Sequence, residues 1–268
     1  MNLFKITLGK KLHFRFRKLT TLLSACAILF ALTARAEDFT NSLAQATQAE
    51  KHGDLPAAVI FYGHAEKLAS NSAVNLCQLS RGYCELTYLT NSPVIQKELL
   101  QAALACALQA VKADPRNATA HASVAVCYAK SCPLYDIKTQ LAYARLFKAE
   151  AEKTIALDPR QDVAYYLLGR WNYGIANVGL LSRTYVKVIY GRLPEASNEA
   201  AIKNFQEASR LAPDRIINYQ GLALAYEALG QKNLEVAALK KCGAMKPFDR
   251  EDADAQREAN KKLLTFRP

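Results

Sequence analysis

The chain has 268 residues, 51% of them hydrophobic, and carries 35 Lys and Arg against 24 Asp and Glu, a net charge of +11. Seven of the basic residues and none of the acidic ones fall within the first 36 residues, which leaves 28 basic against 24 acidic residues in the remainder. The excess of basic charge therefore does not indicate nucleic-acid binding, because a nucleic-acid-binding protein carries its basic patch on the folded domain.

The first 36 residues are predicted to be a signal peptide. A basic head is followed by an apolar run from Leu22 to Leu32 and by Ala34-Arg35-Ala36, the small-x-small pattern of a cleavage site. We predict cleavage after Ala36 and export to the periplasm or cell envelope of a bacterium. The apolar run is shorter than the roughly 20 residues of a transmembrane helix, and no later segment is expected to span a membrane. The alternative is a tethered chain, held by an uncleaved leader or by a lipid on Cys26.

Residues 37–268 are predicted to form one all-α, tetratricopeptide-like helical repeat domain. Similar helix ends, each stopped by a proline, recur at 110–115, 154–159, 208–213 and 242–247. After three of them a new helix begins with an aromatic, an aliphatic, a small and a second aromatic residue on one face. This is the tetratricopeptide pattern, whose period is about 34 residues. A first copy near 40–70 carries the same kind of turn at His52-Gly53-Asp54.

The predicted architecture is an α-solenoid of about five helix pairs. The charged segment 251–264 is expected to form a solvent-facing helix that caps the stack. Intervals between the ending prolines exceed the basic period in the middle of the chain, so we place insertions near 131–138 and 178–194.

Six cysteines follow the leader, at Cys77, Cys84, Cys106, Cys127, Cys132 and Cys242. Their spacing resembles no small disulfide framework, and five of them fall inside predicted helices. We expect buried free thiols. Disulfides are the alternative for an exported chain, with Cys132 in its loop as the expected member of any pair.

Beyond the generic repeat, residues 75–265 resemble the regulator of microtubule dynamics proteins and their bacterial relatives. The motifs that carry this resemblance are Asp114-Pro115-x-Asn117-Ala118, Leu168-Gly169-Arg170-Trp171 and Gly191-x-x-Pro194. The resemblance implies a tetratricopeptide-like scaffold with protein-binding roles, which in animals are reported at microtubules and membranes. A periplasm has no microtubules, so the resemblance supports the fold more than that cellular role.

The candidate partner-binding residues lie on the first helix of each pair, which lines the concave groove of such arrays. Register from the aliphatic-small pairs places five residues there: Arg81, Lys130, Tyr166, Arg170 and Tyr173. Arginine binds carboxylates through two hydrogen bonds, and tyrosine offers a large apolar face with one hydroxyl. The alternative for the arginines is a structural role, through an ion pair with an acid of a second helix or a contact with helix-cap carbonyls.

A second candidate surface is the insertion 178–194. Leu180, Leu181, Tyr185, Val188 and Ile189 recur at helical spacing and are expected to form its apolar face. Arg183, Lys187 and Arg192 carry the polar side, so Arg183, Tyr185 and Lys187 could contact a partner or an anionic membrane surface. The alternative is that this apolar face packs into the core.

No motif indicates an enzyme, a metal site or a cofactor. The three histidines beyond the leader lie in two distant repeats, and His121 occupies a packing position. The sequence therefore predicts a non-enzymatic interaction scaffold that binds a protein or peptide segment in its groove. The alternative is a membrane-tethered structural protein of the envelope that uses the 178–194 helix.

Overall fold

The computed structural model describes residues 37–266 apart from Ser70 and Leu193. The predicted leader, its cleavage site and Cys26 lie outside the described residues. Twelve α-helices are described: α1 (37–52), α2 (Leu55–Leu68), α3 (Ala73–Leu86), α4 (Pro93–Ala113), α5 (Ala118–Ser131), α6 (Ile137–Leu157), α7 (Asp162–Ala176), α8 (Leu180–Tyr190), α9 (Asn198–Leu211), α10 (Ile216–Ala228), α11 (Lys232–Ala244) and α12 (Arg250–Leu264). Short 3-10 helices lie at Thr87–Leu89 and Cys132–Leu134, and the described part of the chain contains no strand.

The helices pack as successive antiparallel pairs, which confirms the predicted solenoid of about five pairs. The pairs are α1 with α2, α3 with α4, α5 with α6, α7 with α9, and α10 with α11. The first helices of the second to fifth pairs contact one another in turn, and α2 of the first pair contacts α3, so the pairs stack in sequence order. Helix α8 falls between α7 and α9 in the sequence, but in space it packs against α6.

The helix boundaries follow from local sequence. Helices α4 and α6 are followed by the C-cap residues Asp114 and Asp158, which directly precede the prolines that stop the helices. Gly53 and Gly230 adopt φ values of +76° and +68° in the turns within the first and last pairs, a backbone region that favours glycine. Side-chain oxygens cap several N-termini, as where Asn117 accepts a 3.0 Å hydrogen bond from the amide of Ala120.

The pairs approach closely where a small residue faces a large one. Phe205 of α9 is fully buried, and its ring lies against the backbone of two glycines, Gly169 in α7 and Gly221 in α10. A Cβ atom at these positions would lie 2.6 Å and 2.4 Å from the nearest ring carbon. The fourth and fifth pairs can therefore share this phenylalanine only because both positions lack a side chain.

Helix α4 is long and apolar enough, by length and composition alone, to cross a membrane. The expectation that no segment beyond the leader could span a membrane is therefore wrong by the criterion of length and composition. Buried residues of α4, among them Leu100, Ala103 and Ala107, belong to the hydrophobic core of the first three pairs. These contacts with α3 and α5 are those expected of the second helix in a repeat.

Helix α12 caps the last pair of the stack, as predicted. Ala255 and Ala259 are buried against the preceding pair, as a cap requires. Its first turn, however, points back to the concave side of the array, where the fully buried Asp252 accepts a 3.0 Å hydrogen bond from the amide of Ile217. The end of the chain thus closes part of the concave face.

Candidate functional site

A cavity of about 280 Å³ lies on the concave side of the array. Its walls come from the first helices of four pairs, α3, α5, α7 and α10, and from the turn that leads into α12. Four of the predicted groove residues line it: Arg81, Lys130, Tyr166 and Arg170. We refer to this cavity and its mouth as the groove. Register along the first helices was therefore sufficient to bring these four residues together.

Tyr173 does not line the groove. It is half-buried and packs against the hydrophobic core of the C-terminal pairs. The prediction failed because Tyr173 lies seven residues beyond Tyr166, and the wall of the cavity formed by α7 ends at Arg170. Its hydroxyl and ring are thus unsuited to a ligand held beside Arg170.

Arg170 has no ion pair and no hydrogen bond to any described residue. Its guanidinium carbon lies 5.8 Å from the ring centre of Tyr166, whose ring packs in turn on Phe205 at 5.9 Å. The nearby acid is Glu251, which acts on Arg170 electrostatically without an ion pair. A guanidinium in an enclosed wall without hydrogen-bonded carboxylate favours an incoming anion.

Arg81 is exposed at the mouth of the groove and likewise makes no ion pair with a described residue. Its guanidinium carbon lies 6.0 Å from the ring centre of Phe248. The predicted alternative, in which Arg81 and Arg170 form structural ion pairs with acids of second helices, is therefore not what the described residues show.

Lys130 is paired inside the chain. Its Nζ donates to the hydroxyl of Tyr88 at 2.7 Å and lies 3.0 Å from Glu251 Oε2. Burial alone would lower the pKa of Lys130, but Glu251 and Tyr88 outweigh it and raise that pKa above its ordinary value. Burial also opposes ionisation of Glu251, yet Lys130 holds the pKa of this carboxyl below its usual range. The pairing therefore favours the charged form of both groups.

Sequence reasoning missed the residues that close the groove. The ring of Phe248 lies near two guanidinium groups, with its centre 6.0 Å from the guanidinium carbon of Arg81 and 5.2 Å from that of Arg215. Arg250 donates a 2.9 Å hydrogen bond to the backbone carbonyl of Glu50, at the opposite end of the array. We call residues 248–251 the clasp. Its partners are up to 200 residues away in sequence, so no local pattern could identify them.

Helix α8 packs through a face that the spacing of its apolar residues did not identify. Tyr185 and Val188, assigned to the apolar side, are 46% and 73% exposed, whereas Val186 is fully buried. Arg183 and Lys187 are exposed beside them. The packing side is completed by Tyr190, whose hydroxyl accepts a 3.0 Å hydrogen bond from the indole nitrogen of Trp171. The three predicted residues Arg183, Tyr185 and Lys187 thus share an accessible surface.

The described thiols are free, and all except Cys132 are buried. The closest contact between two of them joins Cys84 to Cys127, with sulfur atoms 3.9 Å apart, rather than involving Cys132. The thiol of Cys132 instead donates to the carbonyl of Tyr128 at 3.3 Å. His121 is buried, with one ring nitrogen 2.6 Å from Glu150 and the other 3.0 Å from the carbonyl of Pro115. Within the described chain, no group of three His, Cys, Asp or Glu is arranged to hold a metal ion.

The stacked pairs and the concave groove define a tetratricopeptide-type helical repeat protein. A thermophilic tetratricopeptide repeat protein of Thermus thermophilus has the same fold, with a TM-score of 0.59 at 18% identity, covering 84% of this chain and 99% of that one. Residues 39–267 match the family described as regulator of microtubule dynamics protein 1-3, and the chain belongs to that family.

Animal members of the family are similar over most of the chain. Regulator of microtubule dynamics protein 1 of Mus musculus is 28% identical over 91% of this chain and 78% of its own length. Regulator of microtubule dynamics protein 3 of Xenopus laevis is 27% identical over 67% of this chain. The chain spans 39% of the Xenopus protein and 63% of the protein 1 from Pongo abelii.

Proposed function

We propose that this chain is a non-enzymatic scaffold of the bacterial cell envelope that binds a segment of a partner protein in its groove. The observation that carries the proposal is Arg170, a cation in the wall of the concave cavity that has no ion pair or hydrogen bond with a described residue. The surrounding wall is largely apolar, with Ala122, Val126 and Leu167 beside it. Convergent polar groups in an apolar concave surface are typical of binding sites.

Site-specific photocrosslinking in envelope extracts tests the proposal. A benzoylphenylalanine at Ser123, in the groove wall, is expected to crosslink a defined partner. The same residue at Leu108, exposed on the second helix α4, is the matched control and should not crosslink that partner. Arg170→Gln should reduce the yield at Ser123 without changing the melting temperature. Equal crosslinking from both positions would show that the groove is not the binding surface.

A second candidate function, a structural role at the membrane surface, is supported by α8. Arg183, Lys187, Tyr185 and Val188 are exposed together on one short helix, a combination suited to an anionic bilayer surface. For a role at the membrane surface, we expect the chain to cosediment more with phosphatidylglycerol vesicles than with phosphatidylcholine vesicles. An Arg183→Glu/Lys187→Glu variant should then lose the difference, and identical sedimentation with both vesicles would contradict the role.

A further inference from the structure

The clasp joins the two ends of the array across the groove. Glu251 reaches Lys130 of the third pair at 3.0 Å, and Arg250 reaches the carbonyl of Glu50 in the first pair at 2.9 Å. Phe248 covers the mouth between Arg81 and Arg215, although its side chain is 60% exposed. An aromatic ring and a carboxylate three residues apart are thus already held by the basic residues of the groove.

The backbone of the clasp is fixed independently of these side chains. Asp252 accepts hydrogen bonds from the amides of Ile217 at 3.0 Å and of Phe248 at 3.2 Å. Asp249 caps α12 through the amide of Asp252 and forms an ion pair with Arg215 at 2.9 Å. The side chains of Phe248 and Glu251 can therefore leave the groove while the turn stays in place.

The clasp does not pair with every basic residue of the groove. Glu251 pairs with Lys130, whereas Arg170 and Arg81 pair with no described carboxylate. Glu85 and Asp162 also line the groove, where burial raises the pKa of both carboxyls, and neither forms an ion pair with Arg170 or Arg81. A cation in a partly enclosed site gains most from an anion that makes hydrogen bonds to it.

We infer that the clasp stands in for the partner, and that the groove binds an extended acidic peptide segment with an aromatic residue followed within three residues by a carboxylate. The aromatic ring takes the position of Phe248 between Arg81 and Arg215. The carboxylates of the segment reach Lys130 and Arg170. This inference rests on the proposed function and adds to it the chemical class of the partner.

Competition between the clasp and the partner has a measurable consequence. An intramolecular segment is present at a high effective concentration, so it lowers the apparent affinity for a free peptide of the same chemistry. The affinity falls in proportion to the fraction of molecules whose groove is open. Weakening the clasp should therefore tighten peptide binding without any new contact.

Fluorescence anisotropy with a labelled acidic peptide, Ala-Pro-Phe-Asp-Ala-Glu, which repeats residues 246–251 with both basic residues replaced by alanine, tests the inference. We expect weak binding to the wild-type chain and roughly tenfold tighter binding to a Phe248→Ala/Glu251→Gln variant, whose groove is freed. Adding Arg170→Gln to that variant should abolish the gain. A control peptide with Ala, Asn and Gln in place of Phe, Asp and Glu should not bind either form.

Three results would overturn the inference: no binding of the peptide to the clasp variant, equal binding of the control peptide, or no effect of Arg170→Gln. Circular dichroism and thermal melting show whether each variant is folded. If the double variant melts early, the single Glu251→Gln change replaces it, because it keeps the size of the side chain and removes only the charge. Its expected effect has the same sign and is smaller.

The two proposals fail separately. Suppose that a partner crosslinks at position 123 in extracts but the clasp variant does not bind the acidic peptide. The scaffold function would then stand, and the proposed chemistry of the partner segment would be refuted. Tight binding of the peptide with no crosslinked partner would preserve the chemistry of the groove and refute the role in the envelope.

Discussion

At the scale of single residues, the two glycines that face Phe205 govern the contact between the fourth and fifth pairs. Gly169→Ala or Gly221→Ala would place a Cβ within 2.6 Å or 2.4 Å of a ring carbon that is fully buried and cannot move aside. We expect each change to lower the free energy of unfolding by about 1–3 kcal/mol, because overpacking outweighs the gain in helix propensity. Urea unfolding followed by circular dichroism measures the difference.

Gly174, in the same helix as Gly169, is the matched control. It is exposed, and a Cβ there would have no atom within 4 Å. Gly174→Ala should therefore raise the free energy of unfolding by about 0.5–1 kcal/mol through helix propensity alone. A loss of stability at Gly174, or none at Gly169, would contradict this account of the close approach.

The thiols allow a second prediction at this scale. Burial raises the pKa of Cys106 and of Cys242 to about 12, and that of the half-buried Cys132 to about 11. Because the thiolate is the reactive form and Cys132 is the one described thiol that is not buried, iodoacetamide at pH 8 should modify the native chain slowly and at Cys132 first. Peptide mass spectrometry over time gives the order, and unfolding in urea should make all thiols react alike. Faster reaction at Cys106 than at Cys132 would contradict the order.

At the scale of helices, α8 offers a test of the corrected packing face. Val186 is fully buried and Val188 is 73% exposed, two residues apart on the same helix. Val186→Ala should cost about 2 kcal/mol of stability by leaving a void against the core. Val188→Ala should change stability by no more than about 0.5 kcal/mol. Thermal melting distinguishes the two, and equal effects would show that α8 does not pack through Val186.

The helices could be predicted because turn and cap residues act locally. The buried face of α8 could not be predicted, because it depends on contacts with distant residues. Gly53, Asp114 and Asp158 act on their own turns, so their meaning is readable from neighbouring residues. The buried side of α8 depends on where the insertion meets α6 and Trp171, which the spacing of its apolar residues does not specify. Apolar spacing alone therefore grouped the exposed Tyr185 and Val188 but did not identify Val186 as the residue that packs into the core.

The same distinction separates the two parts of the groove. Arg81, Lys130 and Arg170 were predictable because a repeat places equivalent positions of successive first helices on one surface. The clasp was not predictable, since Arg250 and Glu50 meet only when the whole array has curved round. Whether the two ends of the array meet depends on the sum of many small rotations between successive pairs, and no single sequence motif specifies that sum.

At the scale of the whole molecule, the clasp alters how a linear array should respond to local opening. In a stack of repeats each pair contacts only its neighbours, so an end pair is held on one side and opens most easily. The first pair, α1 with α2, has a second attachment through the Arg250 guanidinium and the Glu50 carbonyl. Removing that attachment should loosen the first pair and leave the last pair unchanged.

Hydrogen exchange with mass spectrometry measures this effect. Arg250→Ala should speed amide exchange in residues 37–68 by about fivefold, the factor that corresponds to one hydrogen bond worth about 1 kcal/mol. Arg257→Ala is the control, because Arg257 lies on the same helix, is exposed and pairs only with Asp254 among the described residues. Faster exchange throughout the chain would indicate general destabilisation. No change in residues 37–68 would mean that the hydrogen bond from Arg250 to Glu50 does not hold the first pair in place.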